Sequence, residues 1–457
     1  MMEDLPEFEI EQSPLYDEFI DVQTKCPKES QNTWQATFHL GQTNKEYHPI
    51  SVESVTFKRD YASGFADETM LICMIPYGKY SQKIWPNRDK LEVTLTKYRL
   101  KENSTEIDWD ADVQTERYGV KLIEEHPIAD MADHEAKDEY ALDLMSPLLP
   151  IKFQIFNKSD ERIRQIEIGG PWRKVKLDVL MKLILSHESG KLLIDNKKIV
   201  EGVQMHPIGN PKTYEQVIIP HGLRLVDLAG WLHKEHGVYQ AGIGSYVQNK
   251  NWYIYPLYDT NVYPTRKKTL TLVLLPSKKF SELERTYMVR GDTVKILCVS
   301  DRNFKGDTQM NEAIDGGGVR FTEADSFMGN FGQTKGNKFV VNRKKNNNEF
   351  LSDQNTLSTP YAPVSQNNIT ANPFVHYTDL AMRKGGLLRT IWQNSEPRLL
   401  EPGMAVKILY MHGPDVKQAY GVLVVANHMT VKVGDVSMKK HMTHSELWFF
   451  TNMKIRE

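Results

Sequence analysis

From Ile50 onward, short apolar runs alternate with polar ones along most of the chain. Met70-Leu71-Ile72-Cys73-Met74-Ile75 is a continuous apolar run stopped by Pro76, which predicts a strand buried on both faces. Tyr77-Gly78-Lys79-Tyr80 reads as a turn. Leu91, Val93 and Leu95 then alternate with Glu92, Thr94 and Thr96, the period of a half-exposed strand. Residues 49–149 therefore read as a β region, which ends in a charged stretch with a weakly patterned helix candidate at Met131 to Met145. Ahead of it, residues 1–48 are polar and read as irregular, with an aromatic patch at Trp34 to His39.

The periodicity changes after residue 150. Leu177, Leu180, Met181, Ile184 and Leu185 fall on one helical face, and Gly190 supplies a stop. A second helix is expected through Leu225, Leu228, Ala229 and Leu232, starting after Pro220-His221-Gly222 and stopping at Gly237. Leu270, Leu272 and Leu274 mark a strand. Residues 150–285 are thus an α+β domain, and 286–457 return to strands, with Val294, Ile296 and Cys298 alternating. Further strands are expected at Ala405 to Met411, Gly421 to Ala426 and Glu446 to Phe450. Between them, residues 329–372 form a long polar stretch, and a loop of this length is functional, disordered or ordered against a partner. The fold class is α+β, mainly β.

Composition narrows the setting. The 457 residues are 40% hydrophobic and 25% charged, with a formal net charge of -2. No basic domain marks a nucleic-acid footprint, and Arg266-Lys267-Lys268 and Arg343-Lys344-Lys345 are short enough to be solvated turns. No apolar stretch is long enough to span a membrane. The acidic start, Met1 to Phe8, lacks a signal pattern, so folding in a cytosol is expected. Cys26, Cys73 and Cys298 are widely spaced and fit no metal or redox motif.

A search for chemistry returns little. His233 and His236, and His441 and His444, have the spacing H-x-x-H, but Lys234 stands where a metalloprotease needs Glu, and no third ligand is placed. Asp315-Gly316-Gly317-Gly318 and Gly332 to Lys338 lack P-loop spacing. Asp108 with Asp110, and Asp130 with Asp133, are acidic pairs of the kind glycoside cleavage uses, although that chemistry is defined by distance in space. Trp252, Tyr253, Tyr255 and Tyr258 could stack a sugar or a base, or form a strand with one buried face. No residue is assigned as catalytic, cofactor-binding or metal-binding, and no enzymatic activity or cofactor is expected.

Several segments in order resemble the baseplate hub proteins of contractile-tailed bacteriophages. They are Asp60 to Leu95, with Gly78-Lys79-Tyr80, Ile84, Pro86 and Arg88-Asp89; Ile168-Gly169-Gly170-Pro171-Trp172-Arg173 before the helix from Val175; Ile218 to Leu257, with Gly242-Ile243-Gly244 and Trp252-Tyr253-Ile254-Tyr255-Pro256-Leu257; and Pro402-Gly403-Met404 with the final strands. The resemblance covers roughly residues 50–457. It implies two tail-tube-like β-barrel domains flanking the α+β domain. It also implies a homotrimer in the virion tail baseplate, assembled in the host cytoplasm without membrane insertion. Its six barrels would face the hexameric tail tube protein and its other side the trimeric central spike protein, beside other baseplate proteins, with DNA passing through the lumen without specific binding. A tube initiator, a wedge component, and a glycan-degrading or glycan-binding tail protein are the alternatives.

Overall fold

The computed structural model describes residues 15–25, 32–123, 147–276, 285–299, 303–306, 334–352, 372–434 and 440–453, with short gaps inside these ranges. The helix candidate at Met131 to Met145, the pair Asp130 and Asp133, Cys26, and Gly316 to Gly318 lie outside the described residues.

The chain is mainly β with few helices. The stretch read as irregular holds a helix, α1 (Tyr16–Lys25), and a strand, β1 (Asn32–Leu40). In β1, Ala36, Phe38 and Leu40 are buried while Gln35, Thr37 and His39 are not, so the period-two signal was present within a polar run. Then follow β2 (Ser51–Asp60) and β3 (Glu68–Pro76). β3 alternates buried and half-buried positions, so only one of its faces lines a core, not both. Tyr77 to Tyr80 is not a simple turn: an α turn runs into a π turn at Tyr80–Ile84 and a 3-10 segment at Trp85–Lys90. Tyr80 and Ile84 are buried there, four residues apart on one side. β4 (Leu91–Arg99), β5 (Gln114–Leu122) and β6 (Leu148–Asn157) complete this part.

The α+β part holds α2 (Lys158–Arg164), β7 (Glu167–Lys176), α3 (Leu177–Gly190), β8 (Thr213–Arg224), α4 (Leu228–His236), β9 (Ile243–Gln248) and β10 (Asn251–Pro256). The five apolar residues that predict α3 are all buried. A 3-10 turn at Leu225–Asp227 leads into α4, and Gly237 ends it at φ +76°. Pro220-His221-Gly222 does not start the helix; β8 runs through it with an irregular register between Ile219 and Leu223. Asn249 and Lys250, at φ 49° and 58°, make the two-residue turn between β9 and β10 that suits strand twist.

The last part contains β11 (Thr269–Leu275), β12 (Tyr287–Arg290), β13 (Thr293–Val299), β14 (Gly386–Trp392), β15 (Ala405–His412), β16 (Asp415–Val433) and β17 (Lys440–Thr451). Within the polar stretch 329–372, the backbone forms two short hairpins, Thr334–Lys335 with Lys338–Phe339 and Val341–Lys345 with Asn348–Ser352.

Pairing closes one ring and builds a second strand set that pairing alone does not close. β2, β3, β6, β5, β4 and β1 form a continuous antiparallel ladder. β16 pairs with β2, β17 pairs with β16, and β17 meets β1 at Asn32 and His441, so the pairings of these eight strands close on themselves. The same β16 and β17 carry the second set. On one side β16 leads to β15, β11, β13 and β12; on the other β17 leads to β14. Side chains bridge the remaining side: the Trp392 indole N–H donates to Thr286 Oγ1 at 3.1 Å, and Tyr287 packs edge-on against Trp392. Separate apolar cores fill the ring and the second strand set, one around Phe38, Leu71, Val93 and Phe153, the other around Leu272, Ile296, Ile408 and Phe449. Each such fully buried side chain contributes about 1.5 to 3 kcal/mol.

Candidate functional site

The residues singled out for chemistry do not converge. His233 serves structure: its Nδ1 accepts the Val238 N–H at 3.3 Å, and its Nε2 shares a hydrogen bond with Thr378 Oγ1. His236 packs edge-on against Tyr214 and Trp231. Asp108 accepts the Asp110 N–H at 3.2 Å in a local turn. Trp252, Tyr253 and Tyr255 are core residues, and Tyr258 borders a cavity. Cys73 and Cys298 are buried, and burial raises both thiols, that of Cys298 to about 12. Among the described residues, no cluster of three His, Cys, Asp or Glu side chains could hold a metal, and no helix is long and apolar enough to cross a membrane.

What the fold does concentrate is polar chemistry at its junctions. The first lies on the shared strands. His428, Thr430, His441, Thr443 and Ser445 are buried, yet belong to neither apolar core. They pair among themselves: His428 Nδ1 with Ser445 Oγ at 2.7 Å, and Thr430 Oγ1 with Thr443 Oγ1 at 3.0 Å. Burial, with Arg59 nearby, holds His428 well below the usual imidazole range, so its ring is neutral. His441 closes the first ring. Its Nδ1 accepts the Trp34 N–H at 3.2 Å, which makes Nε2 the donor to the Val52 carbonyl at 2.8 Å.

A second junction ties three parts together just after β2. Arg59 Nε donates to Asp67 Oδ2 at 2.9 Å, and the Tyr246 hydroxyl donates to Asp67 Oδ1 at 2.8 Å. Tyr61 OH donates to Gln248 Oε1 at 2.9 Å, Gln248 Nε2 donates to the Leu400 carbonyl at 2.8 Å, and Tyr255 OH donates to the Tyr61 carbonyl at 2.9 Å. The turn of the first ring, the hairpin of the α+β part and the second strand set thus meet in one network. Burial works against the Arg59 charge, and Asp67 outweighs it. Asp160, on the first turn of α2, faces the same charges. Burial and then Asp67 push its carboxyl up to about 7, with Arg164 working in the opposite direction.

The third feature is a cavity of about 740 Å³ where the α+β part meets the end of β17. Tyr239, Tyr258, Tyr377 and Phe450 supply aromatic surface, and Gln240, Asp259 and Asn261 supply polar groups. Gly242 makes this convergence possible, because at φ +71° a Cβ there would lie 3.0 Å from both Tyr258 and Thr378. These residues come from segments up to about two hundred positions apart, so no local motif announces them.

No protein-family model matches the chain, and no curated protein matches it. Solved structures with a similar course include a 43 kDa tail protein of prophage MuSo2 from Shewanella oneidensis, at 10% identity and a TM-score of 0.45, covering 91% of this chain and 98% of that one. A Francisella PdpA–VgrG complex aligns at 8% identity and a TM-score of 0.40, covering 96% of this chain and 61% of that one. An Escherichia coli type VI secretion component, with structural similarity to the T4 bacteriophage tail proteins gp27 and gp5, aligns at 8% identity and a TM-score of 0.37, covering 86% and 73%. Scores below 0.5 at such identity carry no functional weight.

Proposed function

We propose that the chain is a structural protein of a bacteriophage tail, the baseplate hub that joins the tail tube to the central spike. The observation that supports this reading is a closed strand ring and a second strand set built on the same two long strands. Two barrel-like units fixed in one body let three chains present six similar surfaces to a hexameric tube, while the trimer keeps threefold symmetry for a spike. The order of segments from Asp60 to Phe450 supports the same family. A net charge of -2 suits a lumen that lets DNA pass without holding it. No enzymatic step is part of this proposal.

Native mass spectrometry combined with electron microscopy of the purified chain tests the reading. A trimer with an open central channel and pseudo-sixfold outline is the expected result. A chain that stays monomeric at high concentration would overturn it, and six copies per ring would favour a tube initiator or wedge component instead.

A further inference from the structure

The cavity between the α+β part and the end of β17 plays no part in the hub reading. Its volume, about 740 Å³, lies within the roughly 300 to 1,000 Å³ of small-molecule sites, and it sits between structural units, where such sites concentrate. Its chemistry is selective. Among the described residues, Asp259 is the only formally charged group of its lining apart from the His206 imidazole. Burial, followed by Arg266, lowers His206 to about 4, so that ring is neutral near pH 7. Among the described residues no Lys or Arg lines the cavity, although Arg266 lies near enough to act on His206.

What remains is aromatic surface beside amide, hydroxyl and carboxylate groups. Tyr258 and Phe450 meet edge-to-face with ring centroids 5.0 Å apart; Phe450 is buried, so it backs the Tyr258 ring and leaves Tyr258 as the partly open aromatic surface. Tyr258 is fixed from behind, its N–H donating to the Ala241 carbonyl at 2.8 Å. Asp259 Oδ1 accepts the Asn261 N–H at 2.9 Å, which holds the polar turn in place beside the rings. Sugar rings offer apolar C–H faces for such walls and hydroxyls for such polar groups.

We propose that this cavity is a binding site for a short neutral saccharide, stacked on Tyr258 and hydrogen-bonded at Asp259 and Asn261. The proposal is for binding: the two-carboxylate route of hydrolysis needs a second carboxylate, and among the described residues Asp259 is the one that lines the cavity.

Calorimetric titration of the full chain with N-acetylglucosamine trimer and with cellotriose tests this. One of the two binds, and Tyr258→Ala weakens it by at least about tenfold, equivalent to about 1.4 kcal/mol. Asp259→Asn keeps the acceptor of the local turn and so guards against misfolding; it weakens binding severalfold with an unchanged circular dichroism spectrum. Absence of binding by both sugars at millimolar concentration overturns the proposal, as does affinity unchanged in both variants. So does a cross-link from Tyr258 to a partner polypeptide in the assembled particle, which would make the cavity a protein contact. Sedimentation of the same samples reports the trimer separately, so failure here leaves the hub reading standing.

Discussion

His441 joins strands that are remote in the chain, and both of its bonds depend on one neutral tautomer. Removing the ring leaves the Trp34 N–H and the Val52 carbonyl without these partners, and each such loss costs about 1 to 3 kcal/mol. We expect His441→Ala to lower stability by about 2 to 4 kcal/mol in urea unfolding and to speed hydrogen exchange at the Trp34 amide. Unchanged exchange there would show that the ring is closed by other means. Asp160 gives a prediction of opposite sign. Its folded carboxyl binds a proton more tightly than an unfolded one, at about 7 against an ordinary 3.8. Its contribution is therefore fully favourable only at acid pH and is lost as pH rises from about 4 to 7. Asp160→Asn should match the parent near pH 4 and exceed it at pH 8 by about 2 kcal/mol, after allowance for its partial exposure. Thermal melts across this range check the sign, and a variant that is weaker at pH 8 would contradict it.

Among the elements, α1 shows how a helix can seal a sheet. Leu15, Phe19 and Val22 lie against Val273, Leu275, Leu297 and Leu409, the face of β11, β13 and β15 turned away from the second core. Lys295 clips the helix in place, with Nζ 2.6 Å from Glu18 and 2.9 Å from Asp21. Burial tends to lower Lys295, and the two carboxylates more than offset it. Lys295→Glu turns both attractions into repulsions. We expect proteases to cut ahead of β1 in that variant and hydrophobic dye binding to rise; a helix that stays protected would mean that apolar contact alone holds it. The polar surroundings of α1 and β1 are also why residues 1–48 read as irregular: periodicity reports apolar residues, and here few are needed. α3 was legible because five of its buried residues are apolar at helical spacing. β16 was legible only at Gly421 to Ala426. Its register shifts between Leu423 and Val425, and beyond that its buried positions include His428 and Thr430, which no hydrophobic pattern registers. The cavity was still less visible: of the aromatic group the sequence points to, Trp252, Tyr253 and Tyr255 are spent on cores and Tyr258 reaches the lining.

At the scale of the whole molecule, the shared strands decide how stability is distributed. β16 spans 19 residues and β17 spans 12, and each borders both strand sets. Neither set can lose these strands without opening the other. Gly421 shows how little slack exists, because a Cβ there would lie 2.3 Å from the Phe450 carbonyl oxygen. The α+β part is attached through Asp67, Gln248 and the residues they bond, and through Tyr246, Tyr253, Tyr255 and Leu257, which join the second core. Arg59 and Asp67 are partly buried, 16% and 22% exposed, so stripping one partner costs less than the roughly 3 to 5 kcal/mol of a fully buried pair. Phe38→Ala in the first core and Leu272→Ala in the second should therefore shift one common unfolding transition, each by about 2 to 5 kcal/mol. Asp67→Ala should instead separate an earlier transition for the α+β part from that of the strand sets. Hydrogen exchange followed by mass spectrometry in graded urea distinguishes these outcomes, since cooperative units open at their own free energies. Strand sets that open independently would mean that β16 and β17 act as two strands each, and the single body that the proposed hub requires would be lost with them.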